Sequence, residues 1–113
     1  GPWRIIAGVN PANVDKTVEL VRQELRRLRD TRVTKEELLN TQSFLTGSLP
    51  LQLETNAGVA HALLNIERHN LGLDYLQRYT EMVMAVTAAQ VQDVAQRWLD
   101  PEHYALAIVD PTA

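Results

Sequence analysis

The chain of 113 residues contains no cysteine. Disulfide staples, thiolate nucleophiles and thiolate metal ligands are excluded together, and the composition suits a reducing compartment such as the cytoplasm. Aromatic residues make up only 5% and the formal net charge is -3, so the chain has few platforms for stacking bases and no basic surplus to hold a phosphate backbone. Nucleic acid is a poor partner on both counts. No apolar run approaches the roughly 20 residues of a spanning helix, and no signal-peptide pattern opens the chain, so it reads as soluble rather than membrane-bound. G-x-S-x-G, the P-loop, G-x-G-x-x-G and C-x-x-C are all missing, and the common nucleophile elbows and phosphate cradles go with them.

What the chain does have is apolar material, 45% of its residues, enough for a modest core in one domain or less. It opens on Gly1-Pro2 and not on Met, which fits a cleavage scar or an internal sequence. Residues 3–9, WRIIAGV, are rich in β-formers and end at Asn10-Pro11, where Asn10 can cap a helix and Pro11 fits its first position. Val14, Val18, Val21, Leu25 and Leu28 then form an apolar helical stripe. Its polar side runs from Asp15 and Glu19 to Arg22, Arg26 and Arg29, complementing the helix dipole and allowing a Glu19–Arg22 pair. A structural role therefore accounts for these arginines better than an acid-binding patch does.

Thr34 to Glu37 spells a capping box for a second helix, which also explains the Glu36-Glu37 carboxylates without catalysis. Leu38, Leu45 and Leu49 share a face, and Gly47 and Pro50 predict a kink or an end. Thr55-Asn56 starts a third helix with Val59, Leu63 and Ile66 on its apolar side and Gly72 as its left-handed close. Asp74 to Gln77 resembles a capping box for a fourth, carrying Tyr75, Tyr79, Met82 and Val86; Thr87 to Gln90 is a box for a fifth, lined by Val91, Val94 and Trp98. Trp98 is expected in the core or on a sheet. Asp100-Pro101 stops that helix, His103 stands in a surface or capping position, and residues 104–109, YALAIV, read as a buried strand.

One stretch raises the question of metal: HALLNIERH, residues 61–69. On a helix His61 and His69 lie roughly 12 Å apart along the axis, too far for one ion, and Asn65 between them is a poor zinc ligand. Neither H-E-x-x-H nor H-x-x-E-H occurs. A polar stripe on a half-buried helix is the better account, and no catalytic, cofactor-binding or metal-ligating residue is assigned to this chain. The order strand, five helices, strand leaves a deficit, because two strands give too little surface for five amphipathic helices. The missing strands are expected before Gly1 or from another chain.

The pieces AGVNPANVDK, VTKEELLNTQ, GSLPLQLETN, LGLDYLQRY and VTAAQVQDVAQRWLDP, spread over nearly the full length, resemble the last part of the C-terminal domain of the insulinase/pitrilysin family of zinc peptidases, the inverzincins. The resemblance implies an α+β fold with helices on one face of a mainly antiparallel sheet. Residues 1–113 would be a single partial domain lacking its upstream strands, in a protein that encloses unfolded peptides in a chamber. It also implies zinc in the absent N-terminal half, held by H-x-x-E-H and a downstream glutamate, and an Arg and a Tyr near the substrate that would precede Gly1. This chain would then be an inactive portion of a zinc endopeptidase, partnered by its upstream half or by a second copy. A subunit from a member that has lost catalysis, and an independent helical module, are the competing expectations.

Overall fold

The computed structural model describes residues 2–109. Gly1, and the Asp110-Pro111 pair at the end of the resembling run, lie outside the described residues. The elements are a 3₁₀ turn, Pro11–Asn13, and five helices: α1 (Val14–Asp30), α2 (Lys35–Gln52), α3 (Asn56–Arg68), α4 (Tyr75–Met84) and α5 (Ala88–Trp98). Among the described residues there is no strand. The expected α+β sheet is therefore overturned: residues 3–9 and 104–109 form no ladder, and an isolated pair of strands is marginal by itself. Their apolar side chains stay in the open, with Ile6 86% and Val109 97% exposed.

Local capping explains most helix boundaries. The Asn10 side chain accepts the Ala12 N–H at 3.0 Å, and Pro11 takes the first position of the turn. Thr34 and Glu37 close a reciprocal box, with Glu37 N–H donating to Thr34 Oγ1 at 3.1 Å and Thr34 N–H to Glu37 Oε2 at 2.8 Å. Thr87 and Gln90 repeat it at 3.2 and 2.9 Å, and Thr55 accepts from the Gly58 N–H at 3.0 Å. Asp74 departs from the expected box. It makes no side-chain cap, because its carboxylate is engaged by Arg78 one turn on, at 2.7 and 3.2 Å.

Two helix ends also differ from expectation. α2 runs through Pro50 and stops at Gln52: in the last turn a proline deprives only the Thr46 carbonyl of its donor, a small loss there. At the end of α3 it is Asn70, at φ 51°, that adopts the left-handed conformation. Leu71 N–H then reaches Ile66 C=O at 3.0 Å and Asn70 N–H reaches Glu67 C=O at 3.1 Å, the paired bonds of a Schellman close. Gly72, at φ 92°, shapes the loop beyond.

The chain divides into two compact units, one made of the residues up to Arg32 together with those from Gln92 onward, the other Val33–Val91. In the first, Leu25 of α1 and Ala95 of α5 are buried, and the Val14, Val18, Val21 and Leu28 stripe is half-buried around Leu25, as its spacing predicts. In the second, α4 packs on α2, and Ile66 of α3 is buried. A polar residue, Gln42, is buried there too; its Nε2 lies 3.0 Å from the Val83 and Val86 carbonyls and 3.3 Å from that of Met84, so one amide caps the end of α4. The turn from α2 to α3 is tight enough that a Cβ on Gly58 would lie 1.7 Å from the Gln52 carbonyl oxygen.

Apolar cover is scarce. Leu25, Ile66 and Ala95 are the buried hydrophobic residues among those described. Trp98, expected in a core or on a sheet, is 79% exposed, and its neighbour on the same stripe, Val94, is exposed with it. The face of α5 that periodicity marks for burial meets no sheet among the described residues.

Candidate functional site

The arginine cluster of α1 is built into the first unit. Arg22 keeps the expected pair with Glu19 at 3.5 Å, but the stronger partner is distant in sequence: Glu102 receives Arg22 at 2.6 Å and Arg26 at 2.7 Å on its two oxygens. Arg29 donates to the Ala95, Gln96 and Leu99 carbonyls at the end of α5, and the Gln92 and Gln96 amides return bonds to the Arg29 carbonyl at 3.0 and 2.8 Å. Guanidinium groups at a helix C-terminus also meet the negative end of its dipole. The hydrogen bond from Arg26 leads in holding the Glu102 carboxyl below the usual glutamate range. Asp100 is likewise lowered, chiefly by the Glu102 backbone N–H and then by His103, whose Nδ1 lies 2.7 Å away. These charges therefore fasten the Asp100–His103 turn to α1, and His103, of the surface or capping position expected for it, takes the surface one, its side chain 84% exposed.

The second unit holds an open groove of about 640 Å³ between α2, α3 and α4. It answers the question posed by HALLNIERH. His61 and Asn65, at i and i+4 of α3, line the groove, whereas His69 is the C-cap residue of that helix and does not. Of the stripe Val59, Leu63 and Ile66, only Ile66 is buried; Leu63 is more than half exposed, and the side of α3 turned to the groove is the one bearing Ala62, Asn65 and Ile66. From α4 come Tyr75 and Tyr79, in an edge-to-face contact with ring centroids 5.9 Å apart. Among the described residues no three His, Asp or Glu side chains are grouped to hold a metal ion.

Sequence spacing exposed the His61–Asn65 and Tyr75–Tyr79 pairs but not that the two helices share a groove. Gln42 and Glu102 were missed altogether, since nothing local in the sequence marks a side chain whose partners lie some 41 to 80 residues away. No described helix is long and apolar enough to cross a membrane. Comparisons with protein families, with curated proteins and with solved structures found no match.

Proposed function

We propose that this chain is the non-catalytic C-terminal portion of a zinc-dependent endopeptidase of the insulinase/pitrilysin type, forming chamber wall and interdomain or dimer surface in a protein that handles unfolded peptides. The reading rests on the motifs from AGVNPANVDK to VTAAQVQDVAQRWLDP, and one structural observation supports a covered surface. Only three described hydrophobic residues are buried, while Trp3, Ile6, Phe44, Leu51, Val94 and Trp98 stand bare. Exposed apolar side chains against so small a core are what another polypeptide would cover. Its source in this reading is the upstream half of the same protein or a second copy, and zinc belongs to the upstream half.

The test joins residues 1–113 to the polypeptide encoded upstream. Zinc-dependent cleavage of an unfolded peptide should appear in the joined protein and in neither half, and Trp3 and Trp98 emission should shift to shorter wavelength as they are covered. A second reading, an independent helical interaction module, is favoured by the five helices and the absence of a sheet among the described residues. If residues 1–113 alone sediment as a monomer, melt cooperatively and show the same emission as the joined protein, that module is the correct account.

A further inference from the structure

The groove of the second unit is lined by neutral polar and apolar side chains. α3 contributes His61 and Asn65, and α4 contributes Tyr75 and Tyr79, each pair one helical turn apart. None of these four side chains has a hydrogen-bond partner among the described residues. A neutral imidazole, an amide and a phenol can each donate and accept. The rest of the lining is apolar apart from Gln52, and no lining residue is Asp, Glu, Lys or Arg.

Two dimensions narrow the occupant. Side chains at i and i+4 are separated by about 6 Å along a helix, while an extended peptide turns the same edge of its backbone outward every second residue, about 6.7 Å. The ladders are thus nearly commensurate with a peptide whose N–H and C=O groups, one of each per residue, need partners of both kinds. The volume, about 640 Å³, falls within the few hundred to a thousand Å³ usual for sites that take a small ligand. A charged side chain would find no Asp, Glu, Lys or Arg on the lining to pair with.

We infer that this groove binds a short, extended, uncharged segment of polypeptide, its apolar side chains against the α2, α3 and α4 lining and its backbone on the His61–Asn65 and Tyr75–Tyr79 ladders. The inference deepens the function proposed above, on which its biological role rests, by naming the kind of substrate segment this chain holds; its test needs no zinc.

The probe is the capped peptide acetyl-Gly-Leu-Ala-Leu-Gly-amide, titrated into isotope-labelled residues 1–113 whose helix content is checked by circular dichroism. Saturable amide shifts should centre on residues 61–66 and 75–79, and the analogue with Glu in place of both Leu should bind at least tenfold more weakly. Ala62→Phe should fill the groove and abolish the shifts. Asn65→Leu, at an exposed position that does not threaten folding, should keep the apolar lining and weaken binding about tenfold. The inference is overturned if no saturable shifts occur, if they centre elsewhere, if they arise from protein concentration without peptide, or if the charged analogue binds equally well. Absence of binding together with zinc-dependent cleavage by the joined protein would reject the groove alone. Binding without cleavage would reject the peptidase reading and leave the groove standing.

Discussion

The two units solve one problem with different chemistry. Each has few buried hydrophobic residues, and each ties down a helix end by aiming a distant side chain at backbone carbonyls. In the first the fastener is charged: Arg29 on the end of α5, with Arg22 and Arg26 on Glu102. In the second it is the neutral, buried Gln42 on the end of α4. The difference follows from exposure. A guanidinium at a half-exposed helix end keeps part of its hydration, whereas a buried charge without a paired charge would be costly and an amide is not. The first unit should therefore respond to salt and acid through contacts distant in sequence, and the second should respond to packing.

The largest effect is expected at the tight turn of the second unit. Gly58→Ala puts a Cβ against the Gln52 carbonyl, which is backbone and cannot swing away, so the α2–α3 junction must shift at a cost of about 3 kcal/mol. A denaturant melt followed through α-helical ellipticity checks this, with peptide binding at the groove lost in parallel. No change in midpoint would show that the close approach is not maintained in solution.

Next come the two fasteners, compared directly. Gln42→Leu removes the side-chain donor from the Met84 and Val86 carbonyls, while that of Val83 keeps the Val86 N–H, and should cost about 2 kcal/mol, read as faster amide exchange through α4. Arg29→Met should cost somewhat less, about 1.5 kcal/mol, because of the carbonyls it releases that of Gln96 is exposed and that of Ala95 keeps the Leu99 N–H. Its effect should shrink in 1 M salt, where charge interactions are screened within about 3 Å, while that of Gln42→Leu should not. Equal salt dependence for the two variants would erase the contrast.

The smallest effect concerns pH. Glu102 and Asp100 are held below their ordinary carboxylate range, so the unfolded chain binds protons more readily than the folded one. Their contribution is present at neutral pH and is lost as pH falls through and below that range. Glu102→Gln should flatten the acid limb of a stability profile monitored by tryptophan emission, since both tryptophans, Trp3 and Trp98, belong to the first unit. Asp74 in the second unit is also lowered, chiefly by its hydrogen bond from Arg78, but that pair lies within one turn of a helix. Its protonation should loosen only the start of α4. An unchanged acid limb in Glu102→Gln would show that the Arg22–Arg26 clamp adds nothing in solution.

The starts of α2, α3 and α5 were legible because Thr34, Thr55 and Thr87 satisfy donors within their own first turn, a relation contained in four consecutive residues. The stripe around Leu25 was legible for the same reason, through its period. Asp74 shows where such reading fails: its local pattern allowed two partners, and Arg78 offered the stronger, charge-assisted bond. Residues 3–9 and 104–109 show a deeper failure. Composition favours β-structure there, but a strand exists only through a neighbour, and no ladder forms among the described residues.

The sequence by itself determined the five helices, the threonine caps of α2, α3 and α5, the absence of thiol chemistry and the lack of a helical metal motif, because each depends on residues within a turn or two of one another. Only the tertiary structure decided that Gln42 would be buried, that Glu102 would sit between Arg22 and Arg26, and that His61 and Asn65 would line a groove with Tyr75 and Tyr79. These depend on which carbonyls and which faces meet across tens of residues of chain. It also left Trp98 uncovered, since periodicity says which face of a helix is apolar but not whether anything is there to bury it.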